Sequence, residues 1–251
     1  MRNEIPVVLL ACGILASSCS PAPEGDPGTA ETAAATSGVD AEGAMEMNTL
    51  SAAERAAGWT LLFDGETTDG WRGFQQDSMH SGWQVVDGNL TRVAAGGDIV
   101  TVDQYDDFEL SLEWMVEPGG NSGVLYHVTE EAERTFETGP EMQVLDDAGH
   151  ADGQARLTAA GSDYALYPAP AGVVKPAGEW NQARIVAEGP HVEHWLNGVK
   201  VVEYELWSPD WEARVADSKF AQWPGYGLAE RGHIALQDHG DRVSYRNIKI
   251  R

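Results

Sequence analysis

Four polar residues on two short apolar runs are the part of this sequence best suited to chemistry. Glu141 and Gln143 alternate with Met142 and Val144, and the two-residue period of a strand puts them on one face. In Gly232-His233-Ile234-Ala235-Leu236-Gln237-Asp238-His239-Gly240, the same period groups His233, Ala235, Gln237 and His239 on one face, with Ile234 and Leu236 on the other. A carboxyl group and an imidazole can each take or deliver a proton, and amides beside them can hold hydroxyls or a carbonyl. Glu141, Gln143, Gln237 and His239 are therefore expected to converge on one concave pocket. The competing reading for Glu141 and Gln143 is a solvated sheet face. For His239 it is a structural hydrogen bond.

Other residues could complete such a site. Gly119-Gly120-Asn121-Ser122-Gly123 precedes a strand at 124–127; its glycines allow close backbone approach to a ligand, and Asn121 can hold a hydroxyl or a carbonyl. A structural turn is the alternative. Lys219 and Tyr167, both in irregular stretches, are candidates for the mouth of the same pocket. Asp146 follows Glu141 by five residues, so a regular strand would send the two carboxyls to opposite faces unless a bulge intervenes. A retaining glycosidase needs two carboxyls about 5 Å apart, and no such pair is evident. His191 and His194 likewise face opposite ways on a strand. There is no HExxH pattern and no EF-hand loop. No cofactor is required, and a divalent metal held by Glu141, Asp146 and His239 stays open. Nine tryptophans lie between Trp59 and Trp223. Trp83 and Trp114 read as core, and Trp207, Trp211 and Trp223 as a stacking platform for a sugar ring.

The elements that must position these residues are strands. Phe108, Leu110, Leu112, Trp114 and Val116 alternate with Glu109, Ser111, Glu113 and Met115, the pattern of a long half-buried strand. Shorter runs at 83–86, 89–93, 124–127, 141–145, 183–187, 191–196, 199–204 and 243–250 resemble it. Asp87-Gly88 and Asn197-Gly198 suit two-residue hairpin turns. Ser51-Ala52-Ala53-Glu54 forms a capping box for a short helix ending at Gly58, and Ser208-Pro209 opens another to about residue 217. Many short strands with regular turns predict an all-β sandwich or jelly roll.

Residues 1–18 read as a signal peptide whose apolar run is too short to span a bilayer. Cys19 after Leu15-Ala16-Ser17-Ser18 resembles a bacterial lipobox, so Cys19 is the expected lipidation site; Cys12 is the less suitable alternative. Both cysteines of the chain lie in this leader, which leaves the body without a disulfide. Residues 19–57 form a tether plus the short helix. The part from 20 to 48 is rich in Ala, Gly, Pro, Thr and Glu and lacks aromatic residues, a composition that does not order itself. The body, 58–251, is long enough to bury its own core. A net charge of −24 from 40 acidic and 16 basic residues argues against nucleic acid and against electrostatic binding to anionic lipid. Contact with a membrane is expected only through the lipid anchor, at a bacterial cell envelope, periplasmic or on the cell surface.

The order of these motifs resembles the 3-keto-disaccharide hydrolase domain family. The matching pieces are Leu62-Phe63-Asp64-Gly65 with Gly70-Trp71, Asp107-Phe108-Glu109-Leu110, Gly120-Asn121-Ser122-Gly123, Glu141-Met142-Gln143-Val144-Leu145-Asp146, Gly178-Glu179-Trp180-Asn181, Leu196-Asn197-Gly198, and Leu236-Gln237-Asp238-His239-Gly240 with Tyr245-Arg246-Asn247-Ile248-Lys249. The resemblance implies a concanavalin-like, laminarinase-like jelly roll. It also implies cleavage of glycosides already oxidised to the 3-ketone, with Glu141 or His239 as catalytic base. Asn121, Gln143, Asp146, Gln237, Tyr167, Lys219 and Trp223 are the residues expected to bind substrate. Family members often carry an arginine near the end of the strand where this chain has Tyr126-His127. Laminarinase-type glycosidases resemble Glu-x-Asp-x-x-Glu, whereas Gln143 and Asp146 stand at the second and third acidic positions here. A ketone at C3 acidifies the C2 proton, so elimination of the C1 substituent followed by hydration needs one base rather than a carboxylate pair. The ketone would come from a separate dehydrogenase, since no dinucleotide fingerprint occurs in this sequence. A non-catalytic carbohydrate-binding module and an ordinary glycoside hydrolase are the alternatives.

Overall fold

The computed structural model describes residues 47–251. The expected signal segment, Cys19 and the tether as far as residue 46 lie outside the described residues. Thirteen strands are described: β1 (Thr60–Leu61), β2 (Trp71–Gly73), β3 (Trp83–Val86), β4 (Asn89–Arg92), β5 (Ile99–Thr101), β6 (Phe108–Val116), β7 (Asn121–Val128), β8 (Glu141–Leu145), β9 (Asn181–Glu188), β10 (His191–Leu196), β11 (Val199–Glu205), β12 (His233–Leu236) and β13 (Val243–Ile250). Two helices, α1 (Ala52–Ala56) and α2 (Pro209–Ala216), accompany them.

The strands form two antiparallel sheets, the all-β jelly-roll sandwich that the alternating pattern and regular turns predict. The larger runs β11-β10-β9-β6-β13-β4-β3 with β1 added along β13, and the smaller runs β2-β5-β12-β7-β8. The core lies between them. From β6 it takes Phe108, Leu110, Leu112, Trp114 and Val116, all buried, while Glu109, Glu113 and Met115 stay half-buried on the other face. From the smaller sheet it takes Ser122, Val124 and Tyr126 of β7. Two polar bridges cross the core: Ser122 Oγ lies 2.8 Å from the Tyr245 hydroxyl, and Tyr126 Oη lies 3.0 Å from His194 Nε2. Trp83 and Trp114 are core residues, as expected, with Trp83 stacked on Tyr245. His194 is buried and His191 half-exposed, on opposite faces of β10.

Both hairpin turns place two residues at positive φ: 50° and 74° at Asp87-Gly88, and 49° and 80° at Asn197-Gly198. This is the conformation that Asn-Gly and Asp-Gly adopt at least cost. The Ser51–Glu54 capping box and the Ser208 cap with Pro209 behind it are both present. Several elements differ from expectation. Strands β1, β2 and β5 are two or three residues long, too short to show a period. Strand β12 ends at Leu236 rather than continuing through His239, because Asp238 turns aside to accept hydrogen bonds from the backbone N–H groups of Gly96 and Gly97 (2.8 and 3.0 Å). The tether, expected to run to residue 48, already touches the body there. Asn48 is buried and exchanges hydrogen bonds of 2.7 Å with Asn247.

Candidate active site

The face of the smaller sheet that points away from the core carries a second, smaller apolar cluster of Val100, Leu125, Val128 and Ala235, covered by Phe74 and Phe136. Beside that cluster the same face turns polar. Residues at alternate positions of β7, Asn121 and Gly123, pair with Leu145 and Gln143 of β8, and Leu125 pairs with Glu141. Gln237 continues the line of β12: its N–H donates to the Gly123 carbonyl (3.0 Å), and its carbonyl accepts from Ser122 Oγ (2.6 Å). Asn121, Glu141, Gln143, Gln237 and His239 therefore line one pocket of about 220 Å³, together with Phe136, Asp152, Tyr164 and Lys219. The two-residue period brings together four separately encoded strand positions. His239 reaches the pocket from the loop beyond β12 and is exposed.

Glu141 is 5% exposed. Burial pushes its pKa up to about 8, the Asp98 and Asp152 carboxylates push the same way, and the Lys219 ammonium opposes them. Desolvation in turn lowers the Lys219 pKa, against the pull of Glu141 and Asp152. With its amide nitrogen facing Glu141, Gln143 donates to Glu141 Oε1 (3.1 Å) and to the Ser122 carbonyl (2.9 Å). Gly123, paired with Gln143 beside it, leaves the room that the Glu141 side chain occupies: a Cβ there would overlap the carboxylate and force it to shift. Two further groups are buried without a partner: Asn121 Oδ1 and Gln237 Oε1 accept no hydrogen bond. A buried polar oxygen left unpaired costs about 1–3 kcal/mol, which a ligand hydroxyl would recover.

Loops close the pocket. Asp152 accepts from the Tyr164 hydroxyl (3.2 Å), and the Lys219 ammonium lies 4.2 Å above the Tyr164 ring. His150 Nε2 lies 3.5 Å from Asn121 Nδ2, and the His150 ring is edge-on to His239 at 6.1 Å. Phe136 belongs to a 3₁₀ turn, Thr135–Glu137, held down by a hydrogen bond from Thr135 Oγ1 to Asp98. Sequence reasoning missed Phe136, Asp152, Tyr164 and His150. All four lie in irregular loops, where periodicity gives no signal.

Three expected binding residues lie elsewhere. Asp146 sits beyond the end of β8 and accepts from the N–H groups of Gly119 (2.8 Å) and Ala148 (3.2 Å). It shapes the loop that carries His150 rather than lining the pocket. Glu141, Asp146 and His239 do not bring ligand atoms within 4.8 Å of one another; among the described residues, the one acidic–histidine trio that does is His191, Glu193 and Glu203 on the larger sheet. Tyr167 stacks on Tyr204 at 4.7 Å and donates to Asp210 (2.7 Å). A positive φ of 63° at Ala165 turns the chain between them, so Tyr164 faces the pocket and Tyr167 does not. Trp223 touches Phe136 edge-on at 5.3 Å but lines a neighbouring groove. Trp207, Trp211 and Trp223 instead line a separate groove of about 330 Å³ away from the Glu141 pocket, with Trp211 buried in the aromatic stack and the Trp207 indole donating to the Gly227 carbonyl (2.7 Å). Tyr126 is core, and His127 is buried against Phe108 with Nε2 at 2.8 Å from the Asp106 carbonyl.

Comparison with known proteins agrees with the motif order. Residues 58–251 match the model of a 3-keto-alpha-glucoside-1,2-lyase-like domain. A 3-keto-disaccharide hydrolase from Bacteroides thetaiotaomicron is 35% identical, over 83% of each chain. The fold is similar to the crystal structure of a candidate glycosyl hydrolase from Parabacteroides distasonis, with a TM-score of 0.75 at 38% identity over 82% of this chain and 99% of that one. A second crystal structure of a candidate glycosyl hydrolase from the same organism gives a TM-score of 0.61 at 30% identity, covering 77% of this chain and 98% of that one.

Proposed function

This chain belongs to the 3-keto-alpha-glucoside-1,2-lyase-like domain family, and from that premise we propose that it cleaves 3-keto-glucosides by elimination across C1–C2 followed by hydration. The observation that carries the reading is Glu141, a buried carboxyl raised to about 8 in a pocket whose amides are partly unpaired. A carboxylate with a raised pKa is a stronger base than an exposed one, and a value near the working pH suits proton transfer in both directions.

Glu141 takes the C2 proton, and the electron pair moves into an enolate over C2 and C3. The Lys219 ammonium and the Asn121 amide supply donors for the developing oxyanion, while the Gln143 amide holds Glu141 in place. The enolate then expels the C1 oxygen, leaving a C1=C2 double bond conjugated with the ketone. His239, at the open side of the pocket, delivers the proton that the departing oxygen requires. Water adds at C1 and a proton returns to C2, so the net result is hydrolysis. The C3 ketone enters with the substrate and comes from a separate dehydrogenase.

One observation favours a second reading. Asp152 also lines the pocket, and two carboxyls could support direct glycoside hydrolysis. Turnover in heavy water separates the two. Elimination places deuterium at C2 of the released 3-keto sugar. Products that keep the C2 hydrogen entirely would overturn it in favour of direct displacement.

A further inference from the structure

A second cavity, of about 500 Å³, adjoins the Glu141 pocket and shares Phe136, Gln237 and His239 with it. We propose that this second cavity, walled by His80, Arg134 and Phe136, is the subsite for the leaving sugar. The inference rests on the reading above, in which the oxidised ring occupies the Glu141 pocket.

Size comes first. At about 220 Å³ the Glu141 pocket falls below the roughly 300–1,000 Å³ typical of sites for larger ligands, so it suits one sugar ring. A disaccharide must extend beyond it. Direction comes second. The shared wall is where a bond between two rings would lie, and His239 stands on that wall, as a donor to the glycosidic oxygen must. Unused polar capacity comes third. Among the described residues, Arg134 forms no ion pair or side-chain hydrogen bond; its guanidinium lies 5.6 Å from the centre of the Phe136 ring. The half-buried His80 imidazole accepts and donates no described hydrogen bond. Gln237 Oε1, on the shared wall, is buried and unpaired. A second pyranose could stack on Phe136 and give its hydroxyls to these groups. Asp98, which also borders the cavity, is already occupied, accepting from Thr135 and from the Asp238 N–H (2.8 Å). The free polar groups are therefore concentrated on the His80–Arg134 side.

The test compares 3-keto-maltose, with the ketone on its non-reducing ring, against methyl 3-keto-α-glucoside. In Arg134→Ala and in His80→Ala the ratio of kcat/KM for the disaccharide over that for the methyl glycoside should fall about tenfold, the size of one or two lost hydrogen bonds. Calorimetry on a Glu141→Gln background should show the same fall in the ratio of binding constants. If both ratios stay within twofold of the parent, the second cavity is not the leaving-sugar subsite. If neither compound is cleaved by the parent protein but the binding ratio falls, the cleavage reading fails while the subsite stands. Arg134 is exposed and His80 half-buried, and circular dichroism of each variant checks that it has folded.

Discussion

The two sheets treat the polar residues of their outward faces in opposite ways. On the larger sheet, charges are paired across strands. Glu109 accepts from Arg184 (2.8 Å) and Arg251 (2.7 Å), and Glu113 from Arg246 (2.7 Å). Tryptophans shield the same cations, with Arg246 4.0 Å from the Trp180 ring centre and Arg184 4.2 Å from that of Trp195. At the β7–β8 end of the smaller sheet the polar residues are buried and under-partnered. Glu141 is raised to about 8, and Asn121 and Gln237 keep unpaired oxygens. Exposed ion pairs cost little and contribute little. Buried polar groups without partners destabilise the fold, so two of them beside a carboxyl of raised pKa in one open pocket mark a site where a ligand completes the structure.

The largest effect that could break this comparison is on turnover. Glu141→Gln should lower kcat on a 3-keto-glucoside by about 10²–10⁴-fold, the usual contribution of a positioned base. As base, Glu141 must be ionised, so kcat/KM of the parent protein should climb with pH to a plateau above about 8. The variant should lose that limb. A full-strength variant, or an intact pH limb, would move the chemistry away from Glu141.

A smaller effect sharpens the argument without touching a polar group. Gly123 is paired with Gln143, and a Cβ there would meet the Glu141 carboxylate. Gly123→Ala should push the carboxylate aside and cost about 10²-fold in kcat, as a misplacement of about 1 Å does. Circular dichroism and KM should change far less. Unaltered kcat would mean that the position of Glu141 is not critical.

How much of this could be read beforehand depended on regular backbone. The strands β6, β8, β10 and β13 follow from apolar alternation because each packs one face on a core. The same period correctly groups Glu141 with Gln143 and places Gln237 on their side of the sheet. It says nothing of Tyr167, a loop residue that the positive φ at Ala165 turns away from the pocket, and it sends Asp146 away from Glu141, in keeping with the place of Asp146 beyond the strand, where its carboxylate caps a turn. Asp152, Tyr164 and Phe136 come from loops fixed by tertiary hydrogen bonds such as Thr135 to Asp98. No local pattern encodes those contacts. The tryptophans show a related ambiguity: aromatic residues in an irregular segment suit a binding platform and a local core equally, and Trp207, Trp211 and Trp223 gather at one groove apart from the Glu141 pocket while Trp211 itself is buried.

The smallest effects concern stability, where the two faces should respond to pH with opposite sign. The folded-state pKa of Glu141 lies above its ordinary value near 4.5. Its contribution is therefore favourable below that value and is lost as pH rises to about 8, because over that range the unfolded chain gives up the proton that the buried carboxyl keeps. Removing the ionisable group with Glu141→Gln should raise the melting temperature relative to the parent by about 2–8 °C at pH 8, and by less at pH 5. Glu109 behaves in the reverse way. Burial pushes its pKa up, but Arg184 and Arg251 outweigh burial and hold it below the ordinary range. Its contribution is present above the ordinary value and fades as pH falls through the lowered one. Glu109→Gln should therefore cost stability at pH 8, by no more than about 1 kcal/mol for a partly exposed pair, and the loss should shrink toward pH 4. Thermal melts of both variants between pH 4 and 9 read the two slopes directly. Slopes of the same sign would mean that Glu141 is not held as a strained acid, and the contrast between the faces would then be one of geometry alone.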